Sequence, residues 1–594
     1  MKIHFLDTPE VLLRNNQFLN RQEQIVTELL TKLLQKGVII KSVHEIGEII
    51  SPIFLRDKPD GSHRVILNLK ATNAFVDNSH FKMETIRSIL KLIYPNCYMA
   101  SIDLKDAYYS VKIHDSYQKY LKFQFQGALY AFTCLPNGLC TGPRKFTKLC
   151  KPPLAHLRTL GHTVCAYIDD LINIGDNFVE CQHNVCDTIT TFCKLGFNVN
   201  HKKSKLIPSQ PITFLGFNID SVHMKITPTH EKILNVKTLC RTLLGKTSFK
   251  IRFLARIIGT LISTFPGVKH GPLHFRILEA LKTRALRDNK GKFDRKMCLS
   301  VQGKTEILWW LDNIASAEND IYIPNPHMEI STDASNTGWG GVSKSRGEKT
   351  NGHWSAWEKT LHINVLELKA ITFSLQTLTI PPNIHLKIMS DNTTAVQCIT
   401  HKGTSHSVAC NLETQKIWEI AIHRNLHLSA TYLPGFFNAE ADLESRKQAL
   451  RTEWKLAEDT FQSILTHFGV NPQIDLFASR LNYQLKPFFS YRQDPESAGV
   501  NAFLTSWTEG VFYAFPPFSI ISRVIQKVFM DKAVGILVVP NWKNQPWFSR
   551  IHKMSLSKPF LLSSRRRLLY LPNQPDATYP MKDLQLLAVH ISGK

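Results

Sequence analysis

Val164-Cys-Ala-Tyr167-Ile-Asp169-Asp170-Leu-Ile-Asn-Ile174 sets two apolar stretches around a pair of adjacent carboxylates. VCAY and LINI are strand-length runs, so the segment predicts a hairpin whose tight turn carries Asp169 and Asp170. Two aspartates in a hairpin turn are commonplace by themselves. Carboxylates this deep in apolar flanks are costly, however, unless a cation or metal balances them. A third acid lies upstream: Ser101-Ile-Asp103-Leu-Lys-Asp106-Ala-Tyr108 begins as an apolar strand and delivers Asp103 at its end. Three carboxylates on separate strand ends make a hard oxygen site suited to Mg²⁺. Two such ions about 3.5–4 Å apart can activate a 3′-hydroxyl and stabilise a leaving pyrophosphate in one in-line displacement.

The composition around this core fits a polyanion partner. The chain has 594 residues, 43% of them hydrophobic and 20% charged, which predicts several packed domains rather than a disordered or fibrous chain. Its 72 Lys and Arg outnumber 48 Asp and Glu, a net charge of +24, and nucleic acid is the first candidate partner. Half of that excess sits in residues 241–304, with 15 Lys and Arg against 3 Asp and Glu and apolar residues at helical spacing (Phe253, Ile257, Leu261). This reads as a basic helical surface that tracks phosphates. No apolar run reaches membrane-spanning length and the start has no apolar leader, so the expected location is cytoplasmic, nuclear or both, without a membrane. Twelve cysteines without a CxxC pair read as free thiols in a reducing compartment. Residues 20–48 show helical periodicity through Ile25, Leu29, Leu30, Leu33 and Leu34, and Ile49 to Asn73 reads as strand, turn, strand about Lys58-Pro59-Asp60-Gly61.

In order along the chain these motifs resemble a reverse transcriptase. Lys58 and Arg64, across a fingers-type hairpin, resemble the basic pair that grips the triphosphate. Asp103 to Tyr108 is similar to the first catalytic motif, Leu135-Pro136-Asn137-Gly138 to the LPxG motif beside the incoming nucleotide, and Tyr167-Ile-Asp-Asp170 to the YxDD hairpin. Many relatives carry Gln or Phe where this chain has Asn137. Gly196-Phe-Asn-Val-Asn200 with Lys202-Lys203 resembles the next motif, whose lysine lies near the triphosphate, and Phe214-Leu-Gly216 the hairpin that grips the primer. The resemblance implies a fingers–palm–thumb right hand. In it Asp103 and Asp169 hold Mg²⁺, with Mn²⁺ an alternative, and Asp170 assists. Tyr108 is the steric gate against a 2′-hydroxyl, and Lys58, Arg64, Asn137 and Lys203 bind substrate. The implied partners are an RNA template, a DNA primer, an RNA–DNA hybrid and deoxynucleoside triphosphates.

A second set of acids follows. Asp333 ends an apolar strand before the Gly-rich Thr337-Gly-Trp-Gly-Gly341; Glu367 stands on the first turn of an amphipathic helix (Leu366, Ala370, Phe373); Asp391 ends the strand Leu386-Lys-Ile-Met-Ser390; Asp442 lies at a helix start after Tyr432-Leu-Pro-Gly-Phe-Phe-Asn438. This order resembles a ribonuclease H. It implies Mg²⁺ held by Asp333, Glu367, Asp391 and Asp442 for hydrolysis of RNA in a hybrid. Many ribonucleases H have a histidine in the loop before the last acid; here that loop reads Pro434-Gly-Phe-Phe-Asn438.

The last segment, with Asp475, then Tyr513-Ala-Phe-Pro-Pro-Phe518, a helix and the strand Gly535-Ile-Leu-Val-Val-Pro540, resembles the Dam-like methyltransferase module of DIRS-type retroelements. Phe515 stands where active relatives carry Asn or Asp, and no Gly-rich cofactor loop lies near Asp475, so a degenerate module is expected. Arg565-Arg566-Arg567 could add a phosphate contact. Nearly the whole chain thus resembles the polymerase polyprotein of a DIRS-type retrotransposon. No aspartic-protease Asp-Thr/Ser-Gly, His-His-Cys-Cys or zinc-knuckle motif occurs, so a Gag-like protein and a recombinase are expected as separately encoded partners. The expected division is 1–48, a helical lead; 49–235, fingers and palm; 236–322, basic thumb and connection; 323–448, a ribonuclease H-like α/β domain; and 449–594, a small α/β module, making a multidomain α+β and α/β chain. The rival reading, an inactive or domesticated relative that only binds nucleic acid, would be marked by loss of a catalytic acid, and none of the seven is lost.

Overall fold

A computed structural model describes residues 1–6, 20–57, 61–77, 79–447, 453–562, 568–577, 579–581 and 584–594. Lys58, most of the turn that carries it, and Arg565–Arg567 lie outside the described residues. The chain is a mixed α/β, multidomain protein. It divides into two compact units, one of residues 1–245, 259–269 and 309–322 and the other of 246–258, 270–308 and 323–594.

The first unit is centred on an antiparallel sheet in the order Lys205–Ser209, Tyr98–Lys105, Asp170–Gly175, Thr163–Tyr167, with Asn198–Val199 pairing the end of Tyr98–Lys105. Both faces are covered, and the two-residue side-chain period decides which residue goes where. Ala100, Ile102 and Leu104 pack with Phe146, Leu154 and Leu157 of the helix Gly142–Thr159 and with Val185 and Phe192 of Phe178–Lys194. Cys97, Met99, Ile172 and Ile174 face the other way, onto Ile212, Phe214, Phe217, Ile219 and Ile226 of a smaller antiparallel sheet. The hairpin Ile53–Asp57 and His63–Leu67 forms where the sequence places strand, turn and strand. The helical reading of residues 20–48 needs correction. The helix is Asn20–Gln35; Gly37 at φ +65° turns the chain, and Ile39–Ser42 then pairs as a strand with Ala128–Phe132. Val38 and Ile39, which extend the apolar pattern, are buried just before and at the start of that strand rather than in the helix.

The second unit holds two five-stranded sheets. One runs Glu348–His353, Gly338–Ser343, Met328–Ala334, His385–Ser390, His427–Tyr432; its first three strands are antiparallel and the last two join in parallel. Ile330, Leu386, Ile388 and Leu428 pack under Leu368, Ile371 and Leu375 of the helix Ile363–Thr377 and Ile417 and Trp418 of Val408–His423. The other runs Ile474–Asp475, Val511–Ala514, Val534–Pro540, Leu586–Ser592, Phe560–Leu561, the first three parallel. Phe512, Leu537 and Val539 face Val524, Ile525 and Val528 of the helix Ile521–Met530, while Tyr513, Ile536 and Val538 face Phe461 and Ile464 of Glu458–Phe468. Both faces are covered, which explains the unbroken apolar run of Gly535–Pro540. The basic stretch is largely helical, with His230–Leu244, Ile251–Ile262, Arg276–Asp288 and Val301–Asn313. All twelve cysteines are free, and among the described residues no helix is long and apolar enough to cross a membrane.

Candidate active sites

Strand register builds the first site. Asp103 lies directly opposite Asp170 on neighbouring antiparallel strands, and Tyr167 pairs with Asp170 across the hairpin, leaving Ile168 and Asp169 as its two-residue turn. Asp170 is therefore the first residue of its strand rather than a turn residue. Ile168 sits at φ +57°, a conformation that a β-branched residue adopts only at a cost in strain. The tightness of this turn sets Asp169 beside the Asp103 strand, where its carbonyl accepts from the Leu104 amide at 2.9 Å. Asp103 is held by its backbone: its amide donates to Ser204 Oγ at 2.9 Å and its carbonyl accepts from the Asn200 amide at 2.8 Å.

The carboxylates are short of positive charge. Burial, then the charge of Asp169, then that of Asp103 push Asp170 up to about 6; burial also raises Asp169, with Asp103 adding to it. Arg64 acts on Asp169 in the opposite sense, and Lys203 on both. A cleft opens beside them, lined by Arg64, Asp106, Ala107, Tyr108, Tyr109, Asn137, Ile168 and Asp169. The structure thus brings Arg64, Tyr108 and Asn137 together with Asp169. Tyr108 stands edge-on against Phe146 with 5.5 Å between ring centres, and burial holds its hydroxyl protonated. Asp106, at φ +53°, lines the cleft and forms an ion pair with Lys36 at 2.6 Å.

The second site is tighter. Asp333, Glu367 and Asp391 offer ligand atoms that all lie within 4.8 Å of one another, the one such group of three among the described residues; the three acids of the first site do not meet that spacing. Asp333 accepts from Ser445 Oγ at 2.6 Å, while Glu367 Oε2 is buried with no hydrogen-bond partner. Burial, then Asp333 and Asp391, push Glu367 up to about 9; Asp333 and Asp391 are themselves raised, chiefly by burial. Three crowded carboxyls with an orphaned oxygen fit a divalent cation bound through oxygen. Glu367 stands a full turn into its helix, which starts at Ile363 and is capped by the His362 ring. Asp442 stands outside the triad, its Oδ1 bound by Arg446 Nε at 2.7 Å, although its charge raises both Asp333 and Asp391.

The glycine-rich turn has a packing reason. A side chain at Gly340 would place its Cβ 2.5 Å from the Ala441 carbonyl, so only glycine lets the helix Ala439–Ser445 lie close on the strand. Sequence reasoning missed Ser445, which has no motif of its own. It also missed the role of Asn438, whose side-chain amide donates to the Thr332 carbonyl at 3.0 Å and pins the loop beside Asp391.

Residues 56–219 match the family model for reverse transcriptase (RNA-dependent DNA polymerase). The enzymatic polyprotein of figwort mosaic virus is 25% identical over 362 residues, 57% of this chain and 50% of that protein. The Pro-Pol polyprotein of simian foamy virus type 1 is 28% identical over 228 residues, 37% of this chain and 19% of that protein. The chain therefore spans half or less of the length of these curated relatives. A solved foamy viral protease–reverse transcriptase in complex with dsDNA aligns at 19% identity over 73% of this chain and 87% of that chain, with a TM-score of 0.46.

Proposed function

We propose that this chain is the RNA-directed DNA polymerase of a retroelement and carries a second, hydrolytic site for the RNA strand of RNA–DNA hybrids. The observation that carries the polymerase reading is the register that sets Asp103 opposite Asp170 with Asp169 in the intervening turn, inside the segment that matches the reverse transcriptase model. Bound at these carboxylates, Mg²⁺ or Mn²⁺ would activate the attacking hydroxyl or water and offset charge on the leaving group. Asp103 and Asp169 supply the principal oxygens and Asp170 assists. Arg64 and Lys203, with Lys58, neutralise phosphate charge, and Asn137 lines the nucleotide's cleft. Tyr108 closes the cleft under the sugar, so that a 2′-hydroxyl would collide with its ring. Asp333, Glu367 and Asp391 hold the cation of the hydrolytic site, and Asp442 joins them if Arg446 releases it. Template, primer, hybrid and deoxynucleoside triphosphates are the implied partners, and the basic helices the surface for the duplex backbone.

The resemblance to DIRS-type elements extends the reading to residues 449–594. Phe515 packs against Phe518 there with 6.3 Å between ring centres, and Asp475 is buried and takes the Phe477 and Gln484 amides. A carboxylate so occupied by its own backbone favours a structural rather than a methyl-transferring module. The test of the two-site reading is hybrid cleavage by Asp391→Asn. Cleavage should be lost while primer extension continues; loss of both together would show that the two constellations are not independent.

A further inference from the structure

The loop before Asp442 presents two aromatic rings to water. Phe436 is 88% exposed and Phe437 64%, with ring centres 5.4 Å apart and planes at 82°. They ride on a short helical turn, Gly435–Asn438, that is fixed at both ends. At one end Gly435 lies so close to Asp391 that a Cβ there would be 3.2 Å from Asp391 Oδ2. At the other, Asn438 is 1% exposed, donates to the Thr332 carbonyl, and keeps a buried Oδ1 without a partner. The turn that carries the rings is therefore held beside Asp391.

Phenyl groups can neither bind a metal nor move a proton, so their contribution must be contact, and exposed paired aromatics mark a surface that something covers. Their position names the occupant. A phosphodiester that reaches Asp391 has to pass the Gly435–Asn438 turn, and its flanking sugars then meet the rings. An RNA–DNA hybrid tends toward the A form, whose minor groove is wide and shallow and displays ribose faces, room enough for two phenyl groups. Arg446 and Lys447, whose side chains are 66% and 55% exposed, follow the helix after this turn and are paired with Asp442 and Glu444.

We propose that Phe436 and Phe437 pack into the minor groove of an RNA–DNA hybrid and set which RNA phosphodiester lies over Asp333, Glu367 and Asp391. This rests on the hydrolytic reading of that site. The test uses the full chain with an end-labelled hybrid and compares wild type, Phe436→Ser/Phe437→Ser and Phe436→Tyr/Phe437→Tyr. The serine pair should raise KM for hybrid roughly tenfold or more, the scale of aromatic contacts with nucleic acid, and spread the cut positions. Its thermal midpoint and primer extension should stay as in wild type, because neither ring is buried. The tyrosine pair should restore both KM and cut pattern. Wild-type cutting with an unaltered serine pair overturns this inference alone. So does a serine pair that cuts normally but turns a dimer into a monomer, which would make the rings a contact between copies of the chain. A protein that extends primers but never cuts hybrid overturns both the hydrolytic reading and the inference.

Discussion

Glu367→Gln should make the metal-free protein more stable. The folded state holds this carboxyl up at about 9 against an ordinary 4.5, because it is buried beside Asp333 and Asp391. Below pH 4.5 both folded and unfolded chains carry the proton. Above it the unfolded chain ionises while the folded chain keeps its proton, so the folded state binds more protons and stability falls as pH rises toward 9. At ~1.4 kcal/mol per pH unit, the 2.5 units up to pH 7 cost about 3 kcal/mol. Glutamine is neutral throughout and escapes that cost. The assay is urea unfolding of wild type and variant in EDTA at pH 5 and pH 7. The variant should gain on wild type by roughly 3 kcal/mol at pH 7 and by under 1 at pH 5. Mg²⁺ should then stabilise wild type more than the variant, since a cation favours the ionised carboxyl and the variant has lost it, while the acids of the other site respond alike in both. A variant no more stable than wild type at pH 7 in EDTA, or stabilised by Mg²⁺ to the same degree, refutes the reasoning.

Tyr108→Ala should admit ribonucleotides far more readily, read as the ratio of kcat/KM for deoxy- and ribonucleotides; an unchanged ratio rules out a steric gate. Gly340→Ala should push the Ala439–Ser445 helix off its strand, because the new Cβ meets the Ala441 carbonyl at 2.5 Å, with hybrid cleavage falling at least tenfold and primer extension retained; normal cleavage would show that the helix can shift without harm. Labelled-methyl transfer from S-adenosylmethionine to adenine-containing DNA should stay at the no-enzyme level, and incorporation abolished by Asp475→Asn would overturn the degenerate reading of the C-terminal module.

Much of both sites is legible because strand residues alternate faces and strand ends collect at sheet edges. Asp103, Asp169 and Asp170, and Asp333 and Asp391, sit at or beside such ends, Glu367 comes in from the helix Ile363–Thr377, and the structure brings each set together. What failed to show has physical reasons. The helix reading ran past Gln35 because Val38 and Ile39 continue an apolar pattern that a buried strand shares, and Gly37 was the signal that could have stopped it. The positive φ of Ile168 follows from the two-residue turn, which no residue in the motif announces. Asp442 carries the right motif but spends an oxygen on Arg446, its neighbour one helical turn away. Ser445 reaches Asp333 only because Gly340 lets its helix close in.

The most direct measurement is Mg²⁺-dependent extension of a DNA primer on an RNA template by wild type and Asp169→Asn, with template binding followed on the same samples. Wild type should extend the primer, and the variant should bind as wild type does but extend it slower by orders of magnitude, because the lost carboxylate charge served the metal and the developing transition state. Extension by the variant at the wild-type rate, or no extension by a folded, template-binding wild type, would contradict the polymerase assignment.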